Sequence, residues 1–226
     1  MIYGIQAAQP DSGSSAPADD YPGSLAVADF LNGIYSAGST ILTLADVVDE
    51  PQYITASGLL LDWNDINQQP MNLIGLIRDV ICDVNWTIVF EWEEIEVDGM
   101  SPFFITDTQS NGYDYLWIDS GNTSVYVYDH PDPGTNREAG IVSSVQAQPG
   151  IRKIAVTRTT TNLAISLLGG AVVSDTTSSD KPSMTMVGLG GDTTFVDDGL
   201  QLRGYIRKII VYPAQSDTAL LTLSAL

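Results

Sequence analysis

Basic residues are what this chain has least of. Against 28 aspartates and glutamates stand 9 lysines and arginines, for a formal net charge of −19. Surfaces that grip phosphate are built from lysine and arginine, so the balance argues against nucleic-acid binding. It argues equally against docking on an anionic membrane. No lysine or arginine precedes Arg78, which leaves the N-terminal third purely acidic. That third reads as a solvated acidic surface, with a face for a basic partner as the alternative. Copies carrying this charge repel one another and stay soluble, best in a salty medium where the repulsion is screened. Cysteine is nearly missing as well. Cys82 stands alone, so no intrachain disulfide can form, and within Val80-Ile81-Cys82 it reads as a buried structural thiol. No apolar run reaches bilayer length. Met1-Ile2-Tyr3-Gly4 carries no basic leader of a secretory signal, so the expectation is a chain made in a cytoplasm that reaches any exterior by assembly or lysis.

What is present is strand. Hydrophobic residues make up 44% of 226 residues, enough for a sizeable core in one large β domain. In Trp86 to Glu93 the residues alternate, with Trp86, Ile88, Phe90 and Trp92 on one side and Thr87, Val89, Glu91 and Glu93 on the other. So dense an aromatic stripe should bury against a second sheet. Further strands are predicted at 103–106, 113–119, 124–128, 152–158, 163–168, 171–173, 184–189 and 204–212, separated by turn pairs such as Gly121-Asn122 and Pro133-Gly134. Tyr53 to Leu61 reads as strand, turn, strand, and Ala45 to Glu50 as one helical turn stopped by Pro51. Met71 to Val80 carries Leu73, Ile74, Leu76, Ile77 and Val80 at helical spacing, with Asn72 as cap and Gly75 as a weak point. At the C-terminus a β-branched strand stops at Pro213, and a short helix follows, capped by Ser216 with Asp217 on its first turn. Many short strands at near-regular spacing predict a mainly β fold, an antiparallel β-sandwich jelly roll with one or two short helices. Residues 4–24, rich in Ala, Ser, Gly, Pro and Asp, do not bury enough surface to order alone, and the arm they belong to spans 1–24. They read as an extended docking arm held by another subunit, or else packed along the chain's own domain, which occupies 25–226.

The order of features from Trp86 onward resembles a laminin-G or concanavalin A-like jelly roll. The residues that carry the likeness are the Trp86–Trp92 strand, Gly150-Ile151-Arg152-Lys153-Ile154-Ala155-Val156, the hairpin from Asn162 to Gly170, and the ending Gly204-Tyr205-Ile206-Arg207-Lys208-Ile209. The closing strand followed by Tyr212-Pro213 and Ser216-Asp217-Thr218-Ala219-Leu220 is similar to domains of tailed-phage virion proteins. So is the lead-in Ala28 to Tyr35 running on to Ala56-Ser57-Gly58-Leu59. The resemblance divides the domain into a lead-in (25–85) and a laminin-G-like core (86–226). It implies a virion structural protein rather than an enzyme: a capsid decoration, spike or small tail-attached protein, made in the host cytoplasm and held by its arm to other virion proteins. Such proteins commonly trimerise, and adhesion to a host-surface glycan fits the fold. A free lectin domain and, less favoured, a glycoside hydrolase are the alternatives.

Tyr113, Tyr115, Trp117, Tyr126 and Tyr128 are the candidate carbohydrate contacts, since aromatic stripes stack on sugar rings; core or subunit interface is the favoured reading of the same residues. Glu91, Glu93, Glu94 and Glu96 crowd one strand. Paired carboxylates on a strand serve retaining glycosidases, but the alternating Glu-x-Asp-x-x-Glu of jelly-roll hydrolases is missing, and a solvated acidic strand is expected. Asp107, Asp114 and Asp119, or Asp192, Asp197 and Asp198, are hard oxygen donors for a calcium ion of the sort laminin-G-like domains hold at a sheet rim. No regular calcium-loop spacing is present, and exposed turn aspartates are the plainer reading. His130, the one histidine, lacks cysteine partners for zinc and a nucleophile elbow, and reads as a turn element.

Overall fold

The computed structural model describes residues 20–49, 54–61, 71–83, 85–95, 100–106, 115–120, 124–130, 136–142, 149–178, 185–190 and 202–226, with the backbone alone at 71, 83, 100–102, 104, 106, 115–117, 119–120, 130 and 142. Two antiparallel sheets face each other. The larger joins β1 (Ala26–Asp29), β2 (Ile34–Ala37), β3 (Thr40–Ile41), β4 (Ile54–Thr55), β5 (Gly58–Leu61), β7 (Trp86–Glu94), β12 (Gly150–Arg158), β13 (Leu163–Leu167), β14 (Val173–Asp175) and β16 (Gly204–Pro213). Its order is β14-β13-β12-β7-β16-β1-β2-β3, with β5 and β4 continuing beside the first half of β16. The smaller sheet runs β11 (Arg137–Val142), β10 (Ser124–His130), β9 (Tyr115–Ser120), β8 (Met100–Thr106), β15 (Met186–Leu189) and β6 (Met71–Leu73). This is the expected jelly-roll β-sandwich.

The main core lies between the sheets. From β7 it takes Trp86, Ile88, Phe90 and Trp92, as the alternation requires, and from the facing sheet Phe103, Ile105, Ile118, Val125, Val127, Val187 and Leu189. Phe90 packs on Phe103 with ring centroids 5.2 Å apart. The helix α1 (Gly75–Asp83) closes one side, burying Ile77 and Ile81. Cys82 is half-buried and packs against this core. A second apolar cluster occupies the far side of the larger sheet, where Val27, Val89, Ala155, Ala164 and Ile210 are covered by Leu220 of the C-terminal helix α2 (Asp217–Leu223). Its Ser216 cap accepts from the Ala219 amide, and the far end is fastened by Ser224, whose hydroxyl meets that of Ser166 at 2.8 Å and accepts from Gly169 N at 3.0 Å.

Several expectations need correction. Met71–Leu73 is not the start of a helix: it pairs with β15 as an edge strand, and Asn72 bonds Asp49 rather than capping. Gly75 is not a weak point inside the helix but its entry. Its φ of +65° lies in the left-handed region, and a Cβ there would meet the Asp46 carbonyl oxygen at 2.8 Å. The turn before Pro51 is a 3₁₀ turn at Leu44–Asp46, boxed by Thr43 and Asp46. Strand β11 is a strand that the sequence reading passed over.

Arginines sit inside the sandwich at both ends of β12, about 20 Å apart along the strand. At one end Asp129 of β10 receives Arg137 of β11 and Arg158 of β12; all three are buried, and Arg137 also donates to the Thr159 carbonyl at 2.9 Å. Burial pushes the Arg158 guanidinium below its usual pKa, with Asp129 opposing. At the other end Arg152 lies 3.8 Å from Glu94, which accepts from the Trp92 indole at 2.9 Å. The Asp129 cluster ties the smaller sheet to the larger. Removing one partner of a buried ion pair strands the other. Asp129→Ala should therefore cost about 3–5 kcal/mol in a denaturant melt; a loss under about 1 kcal/mol would show that the two arginines do not depend on it.

Candidate functional site

The outward side of β10 carries the best-formed site among the described residues. Val125, Val127 and Asp129 point inward and are buried, so alternation turns Tyr126 and Tyr128 outward, where both are half-buried. Their rings stack, with centroids 5.7 Å apart and planes 24° from parallel. Neither belongs to an apolar cluster, which separates them from the core reading. The pair is supported from β11. There Arg137, Ala139 and Ile141 turn inward, and Gly140 sits opposite Tyr126. A Cβ on Gly140 would fall inside the Tyr126 ring, overlapping Cε1 and Cδ1. The missing side chain is what lets the ring lie down across the neighbouring strand. Glu138, opposite Tyr128, is exposed. On the other flank the β9 backbone brings Trp117 opposite Tyr128, Asp119 opposite Tyr126 and Tyr115 opposite His130. The register thus gathers four of the five proposed sugar-contact positions on adjacent strands; Tyr113 lies outside the described residues. His130 ends a strand and is not a turn element.

The acidic strand behaves differently from expectation. Glu91 and Glu93 share Arg207, at 2.8 Å and 3.1 Å, and Glu94 is buried against Arg152 and Trp92. These carboxylates are paired with arginine within the larger sheet, Glu91 and Glu94 buried and Glu93 partly exposed; Glu96 lies outside the described residues. Nearby, Asp29 is buried and accepts from the Tyr21 hydroxyl, the Asn32 side chain at 2.7 Å and the amides of Leu31 and Asn32, with Lys208 at 3.7 Å. Burial and this carboxylate hold the Tyr21 phenol far above its usual pKa. Tyr21, inside the range assigned to the arm, is thereby docked on the chain's own sheet; residues 1–19 lie outside the described residues. Of the calcium candidates, Asp107, Asp114, Asp192, Asp197 and Asp198 lie outside the described residues, and Asp119 is placed by its backbone alone. Among the described residues no group of three His, Cys, Asp or Glu side chains gathers as a metal site. What the sequence reading missed is Gly140, a residue with no side chain to announce it.

No protein-family model matches the chain, and no curated protein does. Solved structures match in fold. The Ruminococcus gnavus IT-sialidase CBM40 superposes with a TM-score of 0.56 at 15% identity, over 66% of this chain and 86% of that one. The same CBM40 bound to α2,6-sialyllactose gives 0.53 at 15% identity, over 65% and 87%. The leech intramolecular trans-sialidase, complexed with 2,7-anhydro-Neu5Ac, gives 0.56 at 16% identity over 75% of this chain but 26% of its own length. The likeness shows the fold, an antiparallel jelly-roll β-sandwich.

If Gly140 sets the ring arrangement, Gly140→Ala should expel Tyr126 from its seat and abolish the stack, at a stability cost of about 1–3 kcal/mol from overpacking. Ring-proton shifts of Tyr126 and Tyr128 read this directly: both should move towards unstacked values, and unchanged shifts would contradict the assigned role.

Proposed function

We propose that this chain is a non-catalytic glycan-binding module, displayed as a structural protein on the surface of a phage particle. The binding half is carried by the stacked Tyr126–Tyr128 pair, half-exposed on the outward side of a lectin-type sandwich. A pyranose ring has an apolar C–H face that stacks on an aromatic ring and a hydroxyl rim that hydrogen-bonds around it. A sheet face presenting a stacked, half-exposed ring pair, with an exposed glutamate, Glu138, on the adjacent strand, suits such a ligand. That a CBM40 of this fold was solved with sialyllactose supports a sugar as the ligand class. The non-catalytic reading is supported by Glu91 and Glu93, which converge on one arginine instead of flanking an open cleft; a retaining glycosidase needs its two carboxyls about 5–5.5 Å apart across a scissile bond.

The virion half rests on the sequence: the phage-like closing strand and helix, the arm of residues 1–24 and the −19 charge. In this reading the arm docks on other virion proteins, copies associate as a homo-oligomer such as a trimer, and the sandwich meets host-surface glycans. Because charge between copies is repulsive, association draws on the arm and on apolar contacts.

Two experiments check the two halves. On a glycan array the full chain should bind a defined subset of sugars, and Tyr128→Ala should weaken that binding roughly tenfold or more, the scale of one lost stacking contact; binding indifferent to Tyr128→Ala would refute the platform. Deleting residues 1–19, which spares the Tyr21 anchor, should abolish incorporation into particles and leave a folded soluble domain. Full incorporation of that truncation would refute the docking arm.

A further inference from the structure

Resting on the platform reading, we infer that this face selects uncharged glycans and discriminates against sialylated ones, unlike the fold relative that was solved with sialyllactose. Strands β6, β8, β9, β10, β11 and β15 contain one lysine or arginine among them, Arg137. Its side chain has no exposure and is committed inward, to Asp129 and to the Thr159 carbonyl. Arg158 beside it is buried against the same aspartate. The other described lysines and arginines are engaged elsewhere: Arg152 is buried near Glu94, Lys153 donates to the Ala225 carbonyl at 2.6 Å, Arg203 precedes β16 with its carbonyl accepting from Ile95, Arg207 clasps Glu91 and Glu93 on the larger sheet, Lys208 approaches Asp29, and Arg78 is on α1; Lys181 lies outside the described residues.

Among the described side chains, the charge on the neighbouring strand is negative: Glu138 is exposed, with its Cα opposite Tyr128. A sialoside must bring its own carboxylate to such a face. That carboxylate needs a cation or several donors to replace its water, and here it meets like charge on a chain of −19. A neutral sugar makes no such demand. Its hydroxyls donate to a carboxylate, which has only acceptors to offer, while its C–H face covers the tyrosines. The charge pattern thus complements a hydroxyl-rich, uncharged ligand.

Matched pairs of glycans that differ by one sialic acid test this directly, with lactose against α2,3- and α2,6-sialyllactose included in the panel. The full chain is titrated at low and at physiological salt. The sialylated member of a bound pair should be weaker by about fivefold or more at low salt, the size of one like-charge contact a few ångström apart in water. The gap should narrow as salt is added and in Glu138→Gln. A sialylated member that binds equally or more tightly, and loses that binding in Tyr128→Ala, overturns the charge selectivity and leaves the platform standing. Binding to neither class, or binding untouched by Tyr128→Ala, overturns the platform and the selectivity together.

Discussion

The stripe Trp86, Ile88, Phe90 and Trp92 has to leave water, and the way it does so sets the register of everything beside it. Strand β7 pairs along its length with β12 on one side and β16 on the other. A one-residue slip of either neighbour would turn buried residues such as Ile154, Val156, Ile209 and Val211 out of the core. With that register fixed, the two ends of β12 deliver Arg152 and Arg158 to the interior, where Glu94 and Asp129 await them. Arg158 and Asp129 in turn hold β10 and β11 of the facing sheet at one end of the sandwich. The outward tyrosines are therefore positioned from behind: the residue that follows Tyr128 is the buried carboxylate that binds Arg137 and Arg158.

The two sides of the molecule divide the work. The outer surface of the larger sheet is spent on holding the molecule together: α2 covers part of it, Arg207 and the paired glutamates occupy another part, and Asp29 organises the β1–β2 turn with Tyr21 docked on it. Among the described residues the outward side of β10 and β11 has a different make-up. It carries a ring pair, a glycine cut to seat one ring, and an exposed glutamate. This asymmetry is what favours it as the proposed binding face.

The sequence disclosed strands whose sides are chemically distinct, and hid those whose residues answer to distant partners. Strand β7 was legible because its inward residues from Trp86 to Trp92 are all large and apolar. The capped C-terminal helix was legible because Ser216, Asp217 and the leucines each state a local preference. Strand β11 was not legible: Arg137-Glu138-Ala139-Gly140-Ile141-Val142 has little strand propensity. Arg137 turns inward only because Asp129 is there, and Gly140 is small only because Tyr126 lies over it. Both reasons live on the neighbouring strand. Met71–Leu73 misled because its apolar residues continue the helical spacing of α1, while the partner that makes it a strand, β15, is more than a hundred residues away. For the site, the aromatic positions were readable from alternation, yet their separation from the core became visible only once Val125, Val127 and Asp129 were seen to face inward.

The central claim is that the β10–β11 side is where ligand sits. Amide and side-chain chemical-shift mapping of the full chain, titrated with whichever neutral oligosaccharide it binds, tests that claim most directly. The account predicts perturbations centred on Tyr126, Tyr128, Glu138 and Gly140, with the β16 and α2 signals unmoved. Perturbations centred on Arg207, Lys153 or the C-terminal helix, with the tyrosine pair silent, would contradict it.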